Sequence, residues 1–276
     1  MWAHSLKEKA MTRIGCIGCG NMGGAILAGL ADRFDGTHAF CGCDRAPERM
    51  RPLEEKGVVA MANALDVAKD ASLIVLAVKP YQAVGVLKEI RPALAPDKVL
   101  VSVVAGMSRE TLCEASGGKC PVVRCMPNTP ALVGEGVFAL CFDDASLSSG
   151  IKSELLAVFG SLGLCLTLPE SQFIAFSALI GAGPAYVFEM MQGLVQAGVT
   201  LGFTHQQSRQ MIAALFAGSA RMAKQIAAPL MQLRDDVCSP GGLTIAGVNH
   251  LDRAGLIGIL VDAVLASEAR GREMEQ

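Results

Sequence analysis

Between residues 13 and 23 the chain reads Arg13-Ile14-Gly15-Cys16-Ile17-Gly18-Cys19-Gly20-Asn21-Met22-Gly23, and this stretch constrains the fold more than any other. A short β-type run, Arg13 to Ile17, empties into three glycines spaced G-x-G-x-x-G. A helical pattern from Met22 to Ala31 follows at once. Gly18 permits a tight turn, Gly20 lets the backbone approach a diphosphate, and Gly23 allows a helix to pack closely on the strand. The first amides of that helix then face an anion with the positive end of the helix dipole. A glycine-rich turn in any α/β protein can imitate this spacing, so the surrounding pattern has to decide.

That pattern repeats. His38 to Cys43 predicts a second strand, and Pro47 to Lys56 a second helix with Pro47 in its first turn. Leu73 to Val78 is unbroken apolar sequence, as in a central strand covered on both faces. Val99 to Val104 and Val122 to Cys125 do the same, and Val137 to Phe142 and Leu164 to Leu168 finish the sheet. Strands alternating with helices give an α/β, Rossmann-type doubly wound parallel sheet. After Pro169 strand-like runs cease, and helical periodicity predicts an all-helical domain. Its helices are expected at Glu170 to Ile180, Ala185 to Gly202, Gln206 to Ala227, Gly242 to Asp252 and Gly255 to Gly271. The domains are thus expected at 1–168 (dinucleotide binding) and 169–276 (helical).

Ligands of such sheets lie beyond the carboxyl ends of the strands. Gly18, Cys19, Gly20, Asn21, Met22 and Gly23 form the first of these ends. The second strand ends in Asp44-Arg45. An acid there grips the ribose of NAD, whereas an arginine pairs with the 2′-phosphate of NADP. Both are present, with Arg49 and Arg51 nearby, and a plain solvated strand end with Asp44 as a cap is also open. NADPH is the expected cofactor, with NADH the alternative. Ala77-Val78-Lys79-Pro80 puts Lys79 toward the nicotinamide half. Asn63, Val103, Val104 and Ala105 complete the expected cofactor contacts. In Met126-Pro127-Asn128-Thr129-Pro130 two prolines fix a rigid turn.

Composition removes several classes. The formal net charge is −2, so no basic field points to nucleic acid or to an anionic membrane. Mean hydropathy is +0.41, which raises the question of a membrane span. No run approaches the roughly 20 uninterrupted apolar residues that a span needs. Ser171 to Phe203 comes nearest, but it carries Glu189, three glutamines and the breaker Gly181-Ala182-Gly183-Pro184. Apolar sequence of this kind predicts a large subunit interface. Met1 to Thr12 has no apolar core and does not read as a secretory signal. The ten cysteines lack compact metal-ligand spacing and the four histidines are scattered, so no metal is expected. The cysteines read as small buried hydrophobes in a reducing cytoplasm.

Cys238-Ser239-Pro240-Gly241-Gly242-Leu243-Thr244 is the densest cluster of special residues in the helical half. Glycines opening a helix leave backbone N–H groups unblocked, a cradle suited to a carboxylate. Ser239 and Thr244 add hydroxyls. The plainer account is a helix cap near Ser239 or Gly241.

Taken in order, Gly-x-Gly-x-Met-Gly, Ala77-Val78-Lys79-Pro80, Met126 to Pro130, Gly181-x-Gly183-Pro184-Ala185-Tyr186 and Ser239-Pro240-Gly241-Gly242-x-Thr244 resemble the pyrroline-5-carboxylate reductases. Val237 to Asp252 carries the most specific part, and the resemblance covers the chain from Met11 onward. It implies NAD(P)H-dependent reduction of a cyclic imine to proline. It also implies dimerisation and substrate roles for 169–276: a homodimer, with five dimers assembling into a ring, and a substrate between the nicotinamide and the helical domain. By the same resemblance Gly241, Gly242, Leu243 and Thr244 bind substrate, and Ser239 and Thr244 serve the reaction. Amides of Gly242, Leu243 and Thr244 would hold the substrate carboxylate, while Thr244 hydrogen-bonds the imine nitrogen. Glu170 matches a substrate-proximal acid, and Asp236 stands where the family often has Asn. Ile180-Gly181-Ala182-Gly183-Pro184 lacks the two serines usual there, while its glycines still permit close helix packing. The β-hydroxyacid dehydrogenases open alike, but their early helical-domain lysine is missing, since no lysine lies between Lys152 and Lys224. A non-catalytic dinucleotide-binding regulator would account for the glycine loop but not for the intact Ser239 to Thr244 loop. A reductase of six-membered cyclic imines is a closer rival, and no residue excludes it.

Overall fold

The computed structural model describes residues 12–275, so the segment read above as lacking a secretory signal, Met1 to Thr12, lies outside the described residues except for Thr12. Eight strands form one sheet: β1 (Arg13–Ile17), β2 (Ala39–Cys43), β3 (Val59–Ala60), β4 (Leu73–Leu76), β5 (Val99–Ser102), β6 (Val122–Met126), β7 (Gly136–Cys141) and β8 (Gly163–Thr167). The helices between them are α1 (Asn21–Arg33), α2 (Arg51–Glu54), α3 (Ala64–Asp70), α4 (Pro80–Ile90), α5 (Arg109–Ser116) and α6 (Ser149–Gly160). After β8 come α7 (Phe173–Phe176), α8 (Gly183–Thr200), α9 (His205–Gln225), α10 (Leu230–Asp235), α11 (Leu243–Arg253) and α12 (Leu256–Glu275).

Strand order is β3-β2-β1-β4-β5-β6-β7-β8, so the chain winds one way from β1 to β3 and the other way from β4 onward. A crevice opens at such a reversal, between β1 and β4. The apolar run of β4 shows why the sheet is buried twice over. Leu73 and Val75 join one hydrophobic cluster, with Ile14, Leu30 and Phe138, while Ile74 and Leu76 join another, with Val67, Leu87 and Leu112. Period-two alternation sends successive side chains to opposite faces, and helices cover both.

Two local expectations change. Pro47 to Lys56 is not one helix but a 3-10 turn (Pro47–Arg49) followed by the single turn of α2. Pro52 has no N–H to bond back, so a continuous helix would lose a rung there. The sheet is also not wholly parallel, because β6 and β7 pair antiparallel, Arg124 facing Cys141 and Met126 facing Ala139. The short connection through the 3-10 turn Thr129–Val133 allows that reversal, whereas a parallel pair would require a long crossover.

Among the described residues, 12–181 with 270–275 form one compact unit, and residues 182–269 form the other. Ser177–Gly181 is a π turn at the end of the first unit, where the sequence predicted plain helix from Glu170 to Ile180. Glu170–Thr200 as a whole is a 31-residue helical run of hydropathy 1.5, long and apolar enough by length and composition to cross a membrane. The expectation that no stretch qualifies is corrected to that extent. In the second unit Val195 is the one large apolar residue classed as buried, while Phe188, Leu194, Met211, Leu215, Ile259 and Leu265 are exposed. Helices with so much apolar surface uncovered present an association face.

The ten cysteines are all unpaired, seven of them buried. Burial pushes the thiols of Cys41 and Cys43 up to about 12 and that of Cys120 to about 11. These groups stay protonated in the folded chain, where unfolded thiols ionise near pH 9. Stability from them is therefore complete below about pH 9 and drains as pH rises from there toward 12. Urea midpoints are expected to hold from pH 7 to about 8.5 and to drop by pH 10. A thiol reagent at pH 8 is expected to titrate no more than the three partly exposed thiols, Cys113, Cys165 and Cys238, until denaturant is added.

Candidate active site

The glycine loop joins β1 to α1 at the strand-order reversal. Gly18 has φ +94°, a left-handed conformation that only glycine adopts cheaply. A Cβ there would also come within 2.9 Å of the Ala77 carbonyl carbon and oxygen on the neighbouring strand end. Gly23 is tighter still, since its Cβ would stand 2.1 Å from the Gly18 carbonyl oxygen. Gly20 is the N-cap of α1, yet α1 has no side-chain cap and no acid in its first turn. The opening amides of a 13-residue helix are thereby left for an anion.

A cavity of about 860 Å³ lies over this loop. Gly18, Gly20, Asn21 and Met22 line it on one side, Asp44 and Arg45 on a second, and Ala77, Val78, Lys79 and Pro80 on a third. Asn63 and the strand-end residues Val103, Val104 and Ala105 close the wall. Cys19 and Gly23 do not line it. Both are buried beneath the loop, with the Cys19 sulfur turned toward the Cys16 carbonyl at 3.7 Å. Their part is to let α1 and β1 pack. Asn63 spends its side chain capping α3, its Oδ1 accepting from the Asp66 N–H at 2.9 Å.

The acid and the arginines at the end of β2 have distinct states. Asp44 is nearly buried, its side chain 8% exposed. Its carboxylate accepts from the Ala46 N–H at 2.9 Å and lies 3.6 Å from the Arg49 guanidinium. The charge is thus turned inward and balanced. Arg49 also lines the cavity, with Nη1 3.2 Å from where a Cβ on Gly20 would stand. Sequence alone put Arg49 only nearby; it ends the 3-10 turn Pro47–Arg49 that follows the end of β2. Tyr81, another lining residue that the sequence did not single out, is 83% exposed beside the cavity.

Glu170 lies on the first unit in an ion-pair network. Its Oε1 accepts from Arg124 Nη1 at 2.8 Å and from the Arg109 backbone N–H at 2.6 Å. The Arg124 guanidinium in turn lies 4.8 Å from the ring centre of Phe173. On the second unit, Asp236 accepts from Gln232 Nε2 at 2.7 Å. Gly241, at φ +67°, turns the chain into α11, whose N-cap is Gly242. The Gly242 N–H is already donated to the Ser239 carbonyl at 3.0 Å, and the N–H groups of Leu243, Thr244 and Ile245 are the ones at this end without a helical acceptor. α11 has neither a side-chain cap nor an acid in its first turn. Leu243, 96% exposed, and the exposed Ser239 and Thr244 place this loop on the surface of its unit.

An open, doubly wound sheet with an uncapped glycine-loop helix at its switch point defines a dinucleotide-binding protein of the Rossmann class. Residues 13–106 match the family described as NADP oxidoreductase, coenzyme F420-dependent, and residues 170–274 match that described as pyrroline-5-carboxylate reductase dimerisation. The chain is 35% identical to pyrroline-5-carboxylate reductase of Mycobacterium leprae, over 96% of this chain and 97% of the relative. It superposes on a Coxiella burnetii pyrroline-5-carboxylate reductase with TM-score 0.89 and 29% identity, covering 96% and 99% of the two chains. A Plasmodium falciparum pyrroline carboxylate reductase with NADP bound gives TM-score 0.84 and 30% identity, covering 96% and 98%. The chain belongs to the pyrroline-5-carboxylate reductase family.

Proposed function

We propose that this protein reduces 1-pyrroline-5-carboxylate to L-proline with NADPH, the closing step of proline biosynthesis. The observation that carries the reading is the uncapped glycine-loop crevice, in a chain matching the reductases from end to end with the Ser239–Thr244 loop intact.

The residues present fit the cofactor. The α1 amides and the bare Gly20 receive the diphosphate, and Arg45 with Arg49 supplies charge for a ribose 2′-phosphate. Asp44, which also lines the cavity, has its charge offset by the neighbouring Arg49 guanidinium. The reduced nicotinamide, when bound, supplies the hydride that reaches the C=N carbon. The Leu243 and Thr244 amides hold the substrate carboxylate, and Thr244 Oγ1 hydrogen-bonds the imine nitrogen with water behind it. A hydroxyl is a weak acid at neutral pH, so this group acts mainly by orienting the ring. Ser239 shapes the turn that presents these amides, since its carbonyl takes the Gly242 N–H. Asp236 and Glu170 are each assigned a substrate contact in this reading, Asp236 accepting from Gln232 and Glu170 from Arg124 and the Arg109 amide. The matched dimerisation segment makes the working unit a homodimer, and we extend this to five dimers in a ring. Ten unpaired thiols suit the cytoplasm.

The test is oxidation of NADPH and NADH by the purified protein with pyrroline-5-carboxylate. Rapid NADPH oxidation is expected, and none with either cofactor sinks the reading. Arg45→Ala combined with Arg49→Ala is expected to raise the KM for NADPH about 10- to 100-fold, the loss of one or two charge-assisted hydrogen bonds. The KM for NADH should shift less than about threefold, because NADH lacks the phosphate. Light scattering that returns a mass other than ten chains would overturn the ring.

A further inference from the structure

Two segments of the family pattern, Met126 to Pro130 and Gly181 to Pro184, have no part in the reaction as described. One side chain joins them. Asn128, 7% exposed, follows β6, and its Oδ1 accepts from the Val137 N–H at 2.9 Å. Its Nδ2 donates to the carbonyl of Ile180 at 3.3 Å. Ile180 lies in the π turn Ser177–Gly181, the last turn of the first compact unit.

That carbonyl has a particular need. In an α-helix it would accept from the N–H of residue 184, and residue 184 is proline, which has none. The next donor along, the Ala185 N–H, is given to the Ala182 carbonyl at 2.9 Å. A partly buried carbonyl without a donor is costly, and here the donor comes from a side chain on another element. The primary amide of Asn128 accepts at one end and donates at the other, as Val137 and Ile180 require. The π turn and Pro184 leave a gap in the helix, and Asn128 fills it.

We infer that Asn128 is a positioning residue for turnover: it replaces the hydrogen bond that Pro184 removes and so fixes the backbone joint at which the helical unit begins. The inference rests on the reductase reading, because the residues assigned to the substrate all follow that joint except Glu170. A displacement of about 1 Å between reacting groups can lower a rate about 100-fold, so a loosened joint should show in turnover before it shows in cofactor binding.

The experiment uses the full-length protein with Asn128→Asp, Pro184→Ala and the double variant. Asn128→Asp keeps the acceptor for Val137 but turns a carboxylate toward the Ile180 carbonyl. It is expected to lower kcat about tenfold or more, with the Kd for NADPH within about twofold of wild type. Pro184→Ala supplies an N–H to Ile180. In that background the Asn128→Asp penalty should shrink to about threefold or less, and the two shifts in thermal midpoint should be non-additive. An equal penalty in both backgrounds, an unchanged kcat, or a loss of NADPH affinity parallel to kcat overturns the role. Should Asn128→Asp fail to fold, a folded double variant supports the inference and an unfolded one overturns it. Wild-type protein inert toward pyrroline-5-carboxylate would sink the reductase reading alone, and non-additive thermal midpoints would then decide whether Asn128 serves the Pro184 gap.

Discussion

Gly23→Ala is expected to lose NADPH binding almost completely, with Kd raised at least about 100-fold, and to unfold more easily. The added methyl would stand 2.1 Å from the Gly18 carbonyl oxygen, 2.8 Å from the Ala77 Cβ and 3.0 Å from the Cys16 sulfur. The nearest of these is backbone, which cannot swing aside as a side-chain tip can. Either α1 lifts from β1 or the loop carrying Gly18 and Gly20 moves, and both displace the amides that receive the diphosphate. Overpacking of this kind costs about 1–3 kcal/mol, so the folded protein should survive at low temperature. Isothermal titration with NADPH and a melting curve on the same sample check both effects. Tight binding with an unchanged melting point would show that the loop does not hold the cofactor as described. Gly85→Ala on α4 is the control, since no atom lies within 4 Å of its added carbon.

Thr244→Ala is expected to lower kcat about 100-fold while NADPH binds as before, and Thr244→Ser should keep most of the activity. Thr244 stands at the second position of α11, exposed, beside an amide with no helical acceptor. Removal of the hydroxyl leaves the amides in place, so the KM for pyrroline-5-carboxylate should rise much less than kcat falls. Single-turnover absorbance at saturating substrate separates the two. Wild-type turnover in Thr244→Ala would transfer the orienting role to another group.

Much of this was written in local chemistry. The G-x-G-x-x-G spacing marked the turn, the helix start and the anion site together, because each glycine answers a steric limit set within a few residues. The four apolar residues of β4 announced a strand buried on both faces, as they proved to be. Helix ends after Leu168 fell within a few residues of expectation for α8, α9, α11 and α12, because their periodicity is long. The break at Pro52 was also a local matter, legible in principle from a missing N–H.

What the sequence could not carry was partnership across distance. Whether Cys19 faces a cofactor or the core depends on where α1 comes to rest against β1. Whether Asp44 grips a ribose or turns inward depends on Arg49 and the Ala46 amide, brought beside it by the turn after β2. Glu170 and Arg124 are 46 positions apart and Asn128 and Ile180 are 52, yet each pair meets through one hydrogen bond. Local spacing, set by backbone sterics and side-chain periodicity, determined which elements form and where the glycine loop turns from strand to helix. Tertiary structure alone decided which buried donor meets which acceptor, because those distances are fixed by how the sheet pairs and the helices pack.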